Sequence, residues 1–203
     1  MLCFITDRKL IADDLPGRAE KIMAAGAAYL MLREKDLPEE EMIELAIIMA
    51  AISARHGGRL IVNSSPAAAL AAGAWGLQLP FSALEKFSCD LAGLKNEGRL
   101  KIGVSVHSPQ EAEKAARAGA DLLLAGNIFE SSCKKGLPGR GLDFIKVLKG
   151  QVKLPIWAVG GLSPANIREV LSAGAEAICV RSPLMLSDQP DVLTGEYLAA
   201  LKG

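Results

Sequence analysis

Cations, amides, a histidine and a glycine pair stand just past short apolar runs in this chain. Side chains of those types in those places handle anions and protons. Arg33 and Lys35 follow Tyr29–Leu32 and are two residues apart, so on an extended chain both point the same way. Asn63 follows Arg59–Val62, and Ser105 and His107 follow Lys101–Val104. Asn127 and the pair Lys134-Lys135 lie beyond Leu122–Leu124, where the lysines form either an anion clamp or a solvated basic loop; the clamp is the preferred reading. Arg181 and Ser182 follow Ala177–Val180, and Arg181 either assists anion binding or forms a salt bridge outside the site. Gly160-Gly161 offers backbone N–H groups to a phosphate, although the same dipeptide also makes a tight turn with positive φ. A histidine, with an ordinary pKa of about 6.5, suits a general acid/base. His107 has that potential, and a strand-end histidine held by backbone groups is the equal alternative. His56, beside Gly57-Gly58, is expected at the opposite end in a structural role, and Cys133 reads as loop packing rather than a catalytic thiol.

The elements that carry these residues repeat. Ala-Gly-Ala occurs at 25–27, 72–74, 118–120 and 173–175, each time closing an Ala-rich stretch and preceding a short apolar run. Glycine suits the left-handed position past a helix C-terminus, so the phrase reads as a helix-to-strand turn. Its intervals are about two strand-plus-helix units long, and a further apolar run lies within or before each: Leu2–Ile5, Arg59–Val62, Lys101–Val104 and Pro155–Val159. Eight strands alternating with helices give a closed barrel or an open doubly wound sheet. No Gly-x-Gly-x-x-Gly opens a helix, which disfavours the open sheet. The expected fold is a (β/α)8 TIM barrel over 1–203 as a single domain. Its site lies where the strands' C-terminal ends gather the polar residues above. Pro38 and three glutamates start a long helix through Arg55. Ser108-Pro109 and Ser163-Pro164 read as capped helix starts, and 81–99 as a short turn plus loop.

Composition narrows the partner. Lysine plus arginine equals aspartate plus glutamate, 23 each, with no basic block for nucleic acid and no like-charge tail. The longest apolar stretch, Leu45 to Ala54, is too short to cross a bilayer, and the N-terminus lacks the pattern of a secretory signal. Four scattered cysteines read as reduced and mostly buried. A cytoplasmic protein with a small anionic ligand is expected, without nucleic acid, membrane or metal partners.

The strand ends, taken in order, resemble the thiamine phosphate synthase superfamily over nearly the whole chain. The carriers are Phe4-Ile5-Thr6-Asp7-Arg8, Leu32-Arg33-Glu34-Lys35-Asp36, Ile61-Val62-Asn63, Gly103 through Ser108, and Val159-Gly160-Gly161-Leu162. Three positions depart from the synthase pattern: Met31 stands for a glutamine, Ser64 for an aspartate, and 78–83 has no acid where a second aspartate belongs. The resemblance makes those two aspartates ligands of a magnesium ion serving a pyrophosphate leaving group. The synthases' threonine-rich loop is replaced by Glu130-Ser131-Ser132-Cys133.

These losses, with Ile128 through Gly141 and Ser105 through Ser108, are similar to the TenI branch of thiazole tautomerases. That resemblance implies an isomerase that aromatises a carboxythiazole phosphate without metal. His107 would shuttle the proton, and Arg33, Lys35, Asn63, Ser105, Asn127, Lys134 and Lys135 would hold the substrate. Gly160, Gly161, Arg181 and Ser182 would take its phosphate. The runner-up is thiamine phosphate synthase itself, coupling a pyrimidine diphosphate to a thiazole phosphate, and only that reading calls for magnesium. A non-catalytic thiazole phosphate-binding regulator is the alternative of another class. Barrels of this family often pair, so a homodimer is a further expectation.

Overall fold

In the computed structural model, residues 1–203 are described except 85–92, 94–99, 131–135 and 203. Eight parallel strands close into a barrel, each paired with the next and the last with the first. They are β1 (Leu2–Ile5), β2 (Tyr29–Leu32), β3 (Arg59–Asn63), β4 (Gly76–Pro80), β5 (Lys101–Val106), β6 (Leu122–Gly126), β7 (Ile156–Val159) and β8 (Ala177–Val180). The described helices are α1 (Leu15–Ala24), α2 (Glu39–Arg55), α3 (Pro66–Ala71), α4 (Pro109–Arg117), α5 (Gly141–Gln151), α6 (Ile167–Ser172), α7 (Ser182–Leu186) and α8 (Pro190–Lys202). The chain is thus a (β/α)8 barrel, as the repeat implies. The expected turn at 81–99 begins as a single 3-10 turn, Phe81–Ala83; most of the remainder lies outside the described residues.

Strand alternation builds two cores. Leu2, Phe4, Leu30, Leu32, Leu77 and Leu79 face outward beneath the helices, joined by Ala19, Ala46, Ala112 and Ile145. Small helix residues let α1, α2, α4 and α5 lie close on the sheet, and each fully buried leucine or isoleucine contributes about 1.5–3 kcal/mol. Cys3, Ile5, Met31, Ile61, Leu124, Trp157 and Cys179 face inward and fill the barrel. Its N-terminal end is closed by an aromatic plug. Tyr29 packs against Trp75 and Trp157 with centroids 5.1 and 4.7 Å away, the two indoles stack at 6.2 Å, and Arg59 lies 5.5 Å from the Trp75 ring. His56, at this same end, donates from Nε2 to Glu20 Oε1 at 2.6 Å.

The turns follow their local chemistry. Gly26, Gly73, Gly119 and Gly174 all have positive φ, between 56° and 111°, just past α1, α3, α4 and α6. Asp14, Ser65 and Ser108 cap α1, α3 and α4 by accepting from Gly17, Ala68 and Glu111 N–H. Ser163-Pro164 is a correction: the helix there begins at Ile167. Asn166 takes over the turn, its Oδ1 accepting from Ser163 N–H at 2.9 Å while its Nδ2 donates to the Gly161 carbonyl at 3.0 Å. The amide carries its donor and acceptor on separate atoms, so one side chain bridges both backbone groups. Among the described residues no helix is long and apolar enough to cross a membrane.

Candidate active site

A cavity of about 830 Å³ opens at the C-terminal ends of the strands. It is large enough for a substrate of drug size, and its position is where barrels of this kind carry their chemistry. Its floor is apolar: Ile5, Met31, Leu124, Val159 and Cys179 reach it from five strands. Its rim is cationic and polar. Arg33, Lys35, Asn63, Ser105, His107, Asn127, Gly160, Gly161, Arg181 and Ser182 all line it, so one cavity gathers every described residue assigned to the site from the sequence. Lys134 and Lys135, with Cys133, lie outside the described residues.

The cations are arranged unequally. Lys35 is exposed, whereas Arg33 is half-buried. Burial first, then the like charge of Arg181, pulls the Arg33 guanidinium below its ordinary pKa, with Asp7 and Glu34 partly opposing. Arg181 Nη1 stands 3.6 Å from Asp7 Oδ2, so it pairs within the rim. Thr6, fully buried, accepts the Arg33 N–H at 2.9 Å and fixes where the second strand ends. Glu34, also buried, points away from the cavity and accepts the Arg8 N–H with both oxygens, at 3.2 and 3.1 Å.

On the opposite wall His107 follows β5 directly, its ring beside Gly126 of β6. A Cβ on Gly126 would lie 3.4 Å from His107 Nε2, so the glycine makes room for the ring. Glu111, one turn into α4, accepts the His107 N–H at 2.6 Å and stands 3.6 Å from its Nδ1. Below, Gln78 donates to Ser105 Oγ at 3.0 Å and occupies space that a side chain at Gly103 would fill.

The 160–161 turn is held from two sides. Gly160 and Gly161 have φ of 109° and 65°, and their Cβ positions would collide with Asn127 and with Phe129 and Glu130. Ile128 N–H donates to Val159 and Phe129 N–H to Gly160, which zips the two loops together. Leu162, next along, accepts the Tyr197 hydroxyl of α8 at 2.8 Å. Asn127 adopts φ 60° and donates from Nδ2 to the Pro138 carbonyl at 2.8 Å. Its Oδ1 is buried and, among the described residues, has no hydrogen-bond partner.

Residues 2–184 match the family TMP-TENI, thiamine monophosphate synthase. The chain belongs to this family. Among its relatives in that family, a thiamine-phosphate synthase of Chlorobium limicola is 33% identical, with 99% of this chain and 93% of that protein covered. One of Pyrococcus horikoshii is 33% identical over 91% of this chain and 86% of its own length. The chain spans only about half, 52%, of a third, from Gloeobacter violaceus, also 33% identical. A solved thiamine phosphate pyrophosphorylase from Pyrococcus furiosus superposes with a TM-score of 0.84 at 29% identity, covering 99% of this chain and 95% of that one.

These findings correct the TenI reading. The relatives are named synthases and the superposed structure a pyrophosphorylase, so they point to a transferase and overturn the expected thiazole tautomerase and isomerase. The expectation leaned on missing carboxylates. Those acids bear on how leaving-group charge is balanced, not on which bond is made. The family's magnesium does not fit the residues present. Ser64, at φ 64°, uses its Oγ to accept from Asn63 Nδ2 at 2.9 Å, and Pro80 offers no side-chain oxygen. Among the described residues no group of three or more His, Cys, Asp or Glu gathers to hold a metal.

Glu111, Asp7, Gln78 and Thr6 were missed by the sequence reading. Glu111 had a signal, since Ser108-x-x-Glu111 is a capping-box spacing that places an acid beside whatever precedes the cap. Gln78 had a weaker one, as a lone amide between leucines in a strand. For Asp7 and Thr6 only the folded register brings the partners near.

Proposed function

We propose that this protein is a thiamine-phosphate synthase, joining a pyrimidine diphosphate to a thiazole phosphate. The observation that carries the reading is one cavity with an apolar floor between two anion-binding flanks, in a chain of this family. In the reaction the bond from the pyrimidine's exocyclic carbon to the diphosphate oxygen breaks. The thiazole nitrogen supplies its lone pair to that carbon, and the diphosphate leaves with the bonding electrons.

The residues divide accordingly. Gly160 and Gly161, with the backbone at Ser182, take the thiazole phosphate, since N–H groups in left-handed turns make an anion nest. Arg33, Lys35 and Arg181 stabilise the diphosphate as its charge grows, which is where preorganised cations lower a barrier most. Ile5, Met31 and Leu124 exclude water around the rings. Asn127 completes the wall beside the glycine turn, its side chain tied to the Pro138 carbonyl. His107 and Asn63 complete the wall on the diphosphate side, with Ser105 beneath and Glu111 orienting the imidazole.

Phosphorus NMR of the purified chain with both substrates tests this. Release of pyrophosphate is expected, together with one coupled product whose mass is that of the two substrates less the pyrophosphate, with and without added magnesium as separate arms. Unchanged substrates in both arms would refute it.

A further inference from the structure

We propose that this pocket balances the charge of a diphosphate with its own side-chain cations, Arg33 foremost, and takes no divalent cation. The inference rests on the synthase reading for the identity of the anion. It comes from the charges that meet at the rim.

No aspartate or glutamate is among the described residues lining the cavity, while Arg33, Lys35 and Arg181 all are. The nearby carboxylates are committed elsewhere. Glu34 is turned onto the Arg8 backbone, Asp7 faces Arg181, and Glu111 holds the His107 N–H. What remains where a hard cation would need carboxylate oxygen is an amide already bonded to a serine hydroxyl, and a proline. Among the described residues lining the cavity, a magnesium ion would find cations and amides but no carboxylate.

The same arrangement suits a polyanion. Arg33 is half-buried, and among the described residues its guanidinium makes no hydrogen bond or ion pair. Arg181, itself 3.6 Å from Asp7, adds a like charge that Asp7 and Glu34 only partly offset, so an anion bound beside both guanidiniums is favoured. Guanidinium presents a planar fork that binds two phosphate oxygens at once, and partial burial keeps it from being screened by salt as Lys35 is.

Calorimetric titration of inorganic pyrophosphate into the full chain tests the proposal, once in EDTA and once in excess magnesium. Binding in EDTA is expected. It should weaken at least tenfold in Arg33→Gln and less in Lys35→Gln, and magnesium should not tighten it. Circular dichroism of each variant confirms an intact fold. Binding that requires magnesium, or binding in EDTA indifferent to Arg33→Gln, would overturn the proposal. The coupling reaction separates this inference from the reading beneath it. Turnover only with magnesium would overturn the inference and keep the synthase. Pyrophosphate binding in EDTA without turnover under either condition would do the reverse. In a gain-of-site control, Ser64→Asp supplies one carboxylate, and pyrophosphate affinity should then rise with magnesium. If magnesium tightens wild type and Ser64→Asp alike, the native site already holds the ion and the proposal fails.

Discussion

Gly161→Ala puts a number on the closeness of the two loops around the proposed anion nest. Residue 161 has φ 65°, where an L side chain costs about 1–2 kcal/mol. The new Cβ would also stand 2.5 Å from the Glu130 carbonyl oxygen and 2.7 Å from Phe129 Cβ. Those atoms cannot yield cheaply, because Phe129 N–H is bonded to the Gly160 carbonyl and Ile128 N–H to Val159. Prying them apart adds an overpacking cost of about 1–3 kcal/mol, for a total of about 2–5 kcal/mol. Gly57→Ala is the matched control. Its φ is 69°, but nothing lies within 4 Å of its Cβ, so it should lose only the backbone part, about 1–2 kcal/mol. Urea unfolding of both variants at neutral pH measures the two losses, and unchanged m-values would show that the same transition is compared. Inorganic phosphate titration should also weaken roughly tenfold or more in Gly161→Ala and stay at the wild-type value in Gly57→Ala, since one factor of ten needs only about 1.4 kcal/mol. Equal losses of stability in the two variants would refute the argument that loop contact, rather than φ alone, demands this glycine.

Further outcomes follow from groups around the barrel. Burial pushes the Tyr197 hydroxyl up to about 12, with Glu196 adding to it. The folded state therefore holds this proton more tightly than the unfolded chain, so its contribution is full below pH of about 10 and is lost as pH rises through about 12. Tyr197→Phe should lack that alkaline component and lose about 1 kcal/mol at neutral pH with the bond to Leu162, both read by denaturant unfolding across pH. Burial, then contact with the Cys179 thiol, raises Cys3 well above its ordinary value, and both sulfurs are enclosed. Site-resolved mass spectrometry should find Cys3 alkylated roughly a hundredfold more slowly in the native protein than in urea. Equal rates would show that the barrel core opens readily.

The elements were legible because barrel strands here are short, apolar and separated by a recurring turn. Leu2–Ile5, Tyr29–Leu32 and Ala177–Val180 are strands with the bounds the sequence suggests. Errors occur where two residues compete for one job. Ser163 and Asn166 are both competent caps, and only the proximity of the Gly161 carbonyl decides for the amide. The rim residues were legible from their place after each strand. Their supports were not, since Asp7 meets Arg181 and Thr6 meets Arg33 across strand pairings that local pattern does not encode. The reaction was misread for a different reason. The absence of carboxylates at Ser64 and over 78–83 bears on the charge of one corner of the cavity, not on its apolar floor.

The stacked indoles at the closed end give the protein a built-in optical probe of one particular event. Both tryptophans of the chain, Trp75 and Trp157, lie in that plug, and neither lines the cavity. Their emission, and any exciton coupling between rings inclined by only 9°, therefore depends on the barrel being shut at its base. Fluorescence will follow unfolding with high contrast and remain nearly blind to ligand. A change in tryptophan signal on adding substrate would reveal strain transmitted through the whole length of the barrel.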